Sequence, residues 1–177
     1  MKLTKLPLVA ALSLLMLSSN AWAQSSKRLI DEVNPFIGTS NFGTTNPGAV
    51  VPNGLMSITP FNVSGSPELN KFDKDKRWWS TPYTADNKFF SGFSHVNLSG
   101  VGCPELGSII VSASAGDLDV DYTHYGSAMS QEKAHPGYYS VQLDKHKIKA
   151  EVTATQRTAV SAFTFERGGK NNILVNL

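Results

Sequence analysis

Ile148, Ala150, Val152 and Ala154 alternate with Lys149, Glu151, Thr153 and Thr155. A period of two turns one face of an extended segment toward a core and the other toward water. Short runs rich in β-branched and aromatic residues, bounded by Gly, Pro, Asn and Asp, recur at 55–61, 107–113, 118–122, 138–143, 148–155, 159–165 and 172–177. Each predicts a strand. His135-Pro136-Gly137 and Arg167-Gly168-Gly169 supply turn chemistry between them. No long segment beyond the first residues carries a helical period, so the predicted fold is all-β, an antiparallel β-sandwich.

The first 23 residues follow a different pattern. Lys2 and Lys5 precede an apolar run over 6–17, and Ala21-Trp22-Ala23 closes it with a small-x-small cleavage site. This is the pattern of a secretory signal peptide. The run falls short of the roughly 20 apolar residues that span a bilayer, and no later segment reaches that length. The expected mature chain, 24–177, therefore has no membrane span and is exported to the periplasm or secreted. Gln24, not cysteine, follows the cleavage site, which argues against a lipid anchor there.

Removing 23 of the 177 residues leaves 154, room for one domain with a hydrophobic core. The formal charge of +2 falls to zero when Lys2 and Lys5 leave, and no basic stripe remains to neutralise a phosphate backbone. Nucleic acid is not an expected partner. Cys103 is the single cysteine, so no internal disulfide can form and stability must come from packing.

Two segments depart from the strand pattern. Residues 64–90 begin with Lys71, Asp73, Lys74, Asp75, Lys76 and Arg77, lead into Trp78-Trp79-Ser80-Thr81-Pro82-Tyr83, and read as a long loop of the kind that often carries function. Residues 92–107, GFSHVNLSGVGCPELG, set polar and aromatic groups between four glycines and read as a loop lining a site. The final run, 172–177, is apolar and stops without a turn or polar tail, so the domain reads as incomplete at its carboxyl end.

Several familiar motifs fail on their chemistry. Residues 38–45 have the glycine spacing of a phosphate loop, but Thr44 stands where the lysine must be. Gly100 and Gly102 lack the third glycine of a dinucleotide fingerprint, Glu105 taking its place. Asp117, Asp119 and Asp121 open like a calcium-binding loop, yet Tyr122 occupies the glycine position and Ala128 the final carboxylate. Carboxylates on the wet face of a strand account for them, and no metal is assigned. Cys103 with His95 has the composition of a thiolate pair, but a lone cysteine among glycines is more commonly a small buried residue.

Better candidates for ligand contact remain. Trp78, Trp79 and Tyr83 offer flat apolar faces with polar edges, suited to the C–H faces and hydroxyl rim of a sugar, against the alternative that they seal the sandwich. On an extended chain neighbouring tryptophans point to opposite faces, so one ring buried and one presented is the expected arrangement. His95, Asn97 and Ser99 alternate with Val96 and Leu98, which predicts three polar side chains on one face. A network satisfying buried backbone is the competing reading of those three. Gly102 and Cys103 complete the candidate substrate-binding set.

Val33-Asn34-Pro35-Phe36-Ile37-Gly38-Thr39, then Pro47-Gly48-Ala49, Pro52 with Gly54, Gly92-Phe93-Ser94-His95, and Leu98-Ser99-Gly100 with Gly102-Cys103 together resemble the amino-terminal domain of the family 92 glycoside hydrolases, which are exo-α-mannosidases. The resemblance covers nearly the whole mature chain. Asn97 departs from it where many members carry a second histidine, as do Asn53, Ser108 and the 78–83 segment, which puts linkage preference outside its reach.

The resemblance implies a sandwich packed on an (α/α)₆ catalytic barrel that this chain does not contain. It further implies calcium-dependent, inverting removal of terminal α-mannose from glycans. The general acid, the general base and most of the calcium site would belong to the barrel, so no catalytic residue, no metal ligand and no cofactor are expected on this chain alone. The sandwich would lend residues of 78–83 and 95–103 to the rim of the substrate site. A free-standing carbohydrate-binding or adhesive sandwich without catalysis is the alternative.

Overall fold

The computed structural model describes residues 28–40, 43–62, 65–66, 71–72, 81–97, 107 and 109–177. The chain divides into two compact units, Met1–Glu32 and Val33–Leu177. In the first, the described residues form one 3₁₀ turn, Leu29–Glu32, with Arg28 donating to the Asp31 carboxylate at 2.9 Å.

The second unit is built from β1 (Ala49–Val50), β2 (Ser57–Phe61), β3 (Gly65–Ser66), β4 (Lys71–Phe72), β5 (Phe89–Phe90), β6 (Gly92–His95) and β7 (Ile110–Ala115). A single helical turn, α1 (Tyr122–Tyr125), precedes β8 (Ser127–His135), β9 (Tyr138–Leu143), β10 (Ile148–Ala154), β11 (Ala159–Phe165) and β12 (Asn171–Asn176). One sheet has the order β1-β2-β6-β7-β12, the other β11-β10-β9-β8-β5, and β3 and β4 form a small ribbon. Every pairing is antiparallel. The all-β sandwich expected from the alternation is what the chain forms.

Alternation sets the core. Ile148, Ala150 and Val152 of β10 are at most 1% exposed, and Tyr139, Val141 and Leu143 of β9 join them from the same sheet. From the facing sheet come Ala49, Ile58, Phe93 and Ala113. The Phe93 ring is central, edge-on to Phe90 at 4.9 Å and to Tyr139 at 6.2 Å, with Phe163 also at 6.2 Å. Edge-on packing of this kind sets the positive ring rim against a negative ring face. Outside, Tyr138 donates to Glu151 at 2.5 Å and Lys149 pairs with the same carboxylate at 2.9 Å, the polar side expected of β10.

Three expectations are corrected. Residues 118–122 are not a strand: 118–121 are irregular and α1 follows. Leu118 and Val120 stand 63% and 76% exposed, so they find no core to face, and Asp119 accepts the Asp121 N–H at 2.9 Å in a local turn that competes with strand pairing. The 64–90 segment is not one loop, because β3 pairs with β4 and β5 pairs with β8. The glycine-rich 92–107 segment opens as strand β6 in the middle of its sheet, with Gly92, Phe93 and Ser94 buried.

β8 carries no strand signal, since its sequence SAMSQEKAH is rich in good helix formers. Pairing with β9 overrides that preference. Its two halves use opposite parities. Met129 pairs with Leu143 and Ala134 with Tyr139, both on the core side, and between them Gln131 and Glu132 together oppose Val141. This is a β-bulge, and Gln131 carries the left-handed φ of 51° that such a bulge demands.

Candidate functional site

The segments singled out by the sequence converge on β2. At its end Asn62, fully buried, donates from Nδ2 to the carbonyls of Thr84 at 2.7 Å and Asn87 at 2.8 Å, and accepts the Thr84 N–H at 2.8 Å. The Asn62 N–H donates to Pro82 O at 3.0 Å. One side chain thus fixes the whole 82–87 stretch to the sheet. The Ala85 N–H donates to Thr39 O at 2.7 Å, which ties that stretch to the end of the 33–39 motif. Thr39 in turn donates to Phe36 O at 2.8 Å, and Thr45 to Ile37 O at 2.8 Å, so the motif folds on itself as well.

The same motif reaches the outer face of the sheet. Asn46 Oδ1 accepts from the Thr59 hydroxyl at 2.9 Å, and Thr59 is the register partner of Ser94 on β6. Ser94 donates to Asn97 Oδ1 at 2.9 Å. Two stretches about 50 residues apart therefore meet over one buried Thr–Ser pair, both members fully buried. The stretches stand out in the sequence, but Asn46, Thr59 and Asn62 do not. Small polar residues on β2 or in the loops beside it read as ordinary surface until their partners are known.

Val96 changes what the 95–99 pattern means. Its φ is 58°, in the left-handed region that a β-branched residue rarely enters, and such conformations cost about 1–3 kcal/mol. Two bonds from β2 hold it there: Val96 N–H donates to Ser57 O at 2.9 Å, and Asn97 N–H to the Ser57 hydroxyl at 2.7 Å. The alternation breaks at this residue, so His95 and Asn97 do not share a face as predicted.

Asn97 folds back, donating from Nδ2 to Ser94 O at 3.0 Å while accepting at Oδ1, and its amide is spent on the sheet. Gly107 closes against it. A Cβ there would lie 2.5 Å from Asn97 Oδ1, and its φ is 84°, so both space and backbone require glycine.

His95 is different. It is half-buried, and Nδ1 lies 3.0 Å from Ile109 O, a carbonyl that can only accept. Nδ1 therefore carries the proton and Nε2 presents a lone pair. Of the three candidates in the described residues, His95 alone keeps an uncommitted polar atom.

Tyr83 belongs to the core, not to a ligand-facing surface. It is 1% exposed, and its hydroxyl donates to Glu132 at 2.7 Å. The Tyr139 hydroxyl donates to the same oxygen at 2.9 Å, and Lys88 reaches the other at 2.6 Å. The β8 bulge turns the Glu132 side chain, 9% exposed, into this position. Burial above all, and then the Glu132 charge, push the hydroxyls of Tyr83 and Tyr139 far above the ordinary tyrosine range. With both oxygens occupied, Glu132 is a sealed acceptor and not a free acid or base. A helix-like run of Gln, Glu and Lys gave no sign of it.

Trp78, Trp79, Ser99, Gly102 and Cys103 lie outside the described residues. Among the described residues, no three His, Cys, Asp or Glu side chains gather in a way that could hold a metal ion. His124 stands 3.5 Å from Asp119 and 3.6 Å from Asp121, exposed on the helical turn. No helix of the described residues is long and apolar enough to cross a membrane.

Residues 32–177 match the glycosyl hydrolase family 92 N-terminal domain. The fold superposes on the family GH92 alpha-mannosidase BT3965 from Bacteroides thetaiotaomicron with a TM-score of 0.72 and 30% identity, covering 84% of this chain and 20% of that one. The family GH92 inverting mannosidase BT2199 from Bacteroides thetaiotaomicron VPI-5482 gives 0.61 and 25%, covering 85% and 20%. An uncharacterized secreted glycosidase of Arthroderma benhamiae is 29% identical over 163 residues, 87% of this chain and 20% of the relative. The chain thus spans about 20% of the length of each of these proteins. With the match running across the sandwich and both of its signature segments, the chain belongs to glycosyl hydrolase family 92, as its N-terminal domain.

Proposed function

We propose that this domain is the substrate-rim half of a secreted exo-α-mannosidase that removes terminal α-mannose from glycans with inversion and with the help of calcium. The family match over 32–177 carries the reading, and the arrangement of the site supports it. Asn62, Thr39 and Asn46 fasten the 33–48 and 81–87 stretches to one sheet, which would hold the 78–83 and 95–103 segments at fixed places on a catalytic partner. His95, with Nε2 uncommitted, is the described side chain best able to meet a sugar hydroxyl. Trp78, Trp79, Ser99, Gly102 and Cys103 are proposed with it, while Tyr83 and Asn97 act by fastening.

Inversion needs an acid and a base whose carboxyls stand roughly 6.5–9.5 Å apart to admit a water. Glu132 is saturated and the remaining described carboxylates are not proposed for either role, so the chemistry is assigned to a further domain. Among the described residues no three His, Cys, Asp or Glu side chains gather, so the calcium ligands are proposed for the further domain and no step is routed through the ion on this chain. The leader over 1–23 is proposed to direct export.

The test is mannose release from α-mannosides by the full-length protein, with and without a chelator, reading the anomer first formed by proton NMR. Release of β-mannose that stops on chelation supports the proposal. Absence of release from every α-mannoside, by a protein near the size of this chain, would favour a non-catalytic sugar-binding sandwich. Within an active enzyme, Trp79→Ala should raise KM with little change in melting temperature, and the reverse pattern would make the ring structural.

A further inference from the structure

Three connections meet around one hollow: the bend that follows β7, the turn from β9 to β10, and the turn from β11 to β12. Together they line a cavity of about 330 Å³. Its walls carry Lys145, Arg167 and Lys170 against a single carboxylate, Asp117. Residues 24–177 have no net formal charge, so this gathering of cations is a local feature and not an overflow of a basic chain. The cavity borders Ala115, at the end of β7 opposite to the one where Ile109 O meets the His95 ring.

Hydrogen bonds tie the three connections together. The Gly116 N–H donates to Lys170 O at 2.9 Å, Asn172 Nδ2 to Gly116 O at 3.1 Å, and the Glu166 N–H to Lys147 O at 3.0 Å. His146, buried at the cavity wall, spends both ring nitrogens on the fold: Nε2 lies 2.8 Å from Tyr125 O, which only accepts, and Nδ1 accepts the Ala115 N–H at 3.4 Å. Lys145 Nζ donates to His124 O and keeps two further protons. Arg167 is exposed, and among the described residues its guanidinium has no hydrogen-bond or ion-pair partner. Gly168 and Gly169 beside it donate their N–H groups to no other described residue. The φ of 127° at Gly169 is one that a side chain would resist.

We infer that this cavity binds a tetrahedral oxyanion, a sulfate or phosphate group, either free or carried on a sugar. Arg167 supplies a fork of N–H donors to two of its oxygens, and Lys145 and Lys170 supply point charges from the other two connections. A planar carboxylate would be filled by the fork alone, whereas cations arriving on three separate connections match an acceptor with oxygens in several directions. Free glycine N–H groups in a turn are further donors to such an anion. The volume falls within the range of small-molecule sites, about 300–1,000 Å³, so a sugar ring is admitted together with its ester. Asp117 works against binding. It holds Lys170 at 2.7 Å from a 92% exposed position and competes with the anion for that cation. The inference stands independently of the mannosidase reading.

The experiment is isothermal titration calorimetry of the full-length protein with inorganic sulfate, inorganic phosphate, galactose 6-sulfate and, as the neutral control, galactose. Galactose in place of mannose keeps the proposed mannose-binding rim out of the measurement. The anions should bind, more weakly as sodium chloride is added, and galactose should not. Tighter binding of galactose 6-sulfate than of inorganic sulfate assigns the site to a sulfated glycan, and equal affinity assigns it to the free ion. Arg167→Gln should weaken binding by about tenfold or more, the loss of a charge-assisted hydrogen bond. Arg167→Lys, which keeps the charge without the fork, should lose part of that. Asp117→Asn should tighten binding several-fold by releasing Lys170. Both side chains are exposed, so the melting temperatures should not move. Absence of binding by all three anions would overturn the inference, and so would weaker binding in Asp117→Asn. A lowered melting temperature in Arg167→Gln without any anion binding would give the cations to an acidic segment of the same protein and overturn it as well.

Discussion

The two flanks of the sandwich end in opposite ways. Where β8 runs past the short β5, the interior finishes in a polar seal: Tyr83 and Tyr139 converge on Glu132, and Lys88, half-exposed, caps its second oxygen from the solvent side. At β12, the edge of the other sheet, Ile173 and Val175 stand in solvent. A flank that meets water permanently has to satisfy its polar groups and hide its apolar ones. The Glu132 flank does both. The β12 edge leaves its apolar side chains in water.

Phe93→Ala should be the most damaging change, because its ring joins both flanks through Phe90, Tyr139 and Phe163. A loss of about 3–5 kcal/mol in urea unfolding is expected for a buried phenylalanine. Glu132→Ala comes next. It strips the acceptor from two buried hydroxyls, and unpaired buried groups cost about 1–3 kcal/mol each, so a combined loss of about 2–4 kcal/mol is expected. Glu132→Gln keeps one acceptor oxygen and should lose less. If Glu132→Ala is no worse than Ile173→Ala in the same protein, the seal is not a seal and the contrast between the flanks fails.

Alkali should separate the flanks too. Tyr83 and Tyr139 hold their protons far more tightly when folded than the ordinary tyrosine value near 10. Above that value the unfolded chain sheds protons that the folded one keeps, so stability declines as pH rises. Each buried tyrosine contributes a slope of about 1.4 kcal/mol per pH unit. The stabilising effect is fully present below pH 10, and the decline begins near that pH. Tyr83→Phe should roughly halve the slope in pH-dependent urea titrations. An unchanged slope would mean that the hydroxyls ionise without unfolding the flank.

The legible part of this molecule was the part ruled by local pattern. β9 and β11 have the bounds that alternation predicts, and β10 differs by one residue, because their side chains face a core on one side only. β8 was hidden by helix-forming residues that only a partner strand could overrule, and 118–122 looked like a strand with no core to meet it. The site divides the same way. Its segments were visible as glycine-rich or aromatic departures from alternation, whereas the fastening residues were not. Glu132 lies in a bulge set by β9, Asn97 is redirected by the left-handed Val96, and Asn62 finds its partners more than twenty residues away. None of these relations is local, so no window along the sequence contains them.

The smallest expected effect concerns the bulge that aims Glu132. Gln131 is exposed and pays for a left-handed φ of 51° that glycine adopts freely. Gln131→Gly removes that strain, while the more flexible unfolded chain offsets part of the gain by about 0.4–1 kcal/mol. The result should be a change within about 1 kcal/mol of zero, with the slope of the alkaline decline preserved because both tyrosines still reach Glu132. Gln131→Val should behave oppositely, since a β-branched residue resists that φ and would push the strand toward an unbulged register. A one-residue slip would turn Glu132 outward and Lys133 inward. Loss of the alkaline slope in Gln131→Val with its retention in Gln131→Gly would show that backbone conformation at one exposed residue sets the polar seal. If the slope survives in both, the tyrosines hold Glu132 in place and the bulge follows from them.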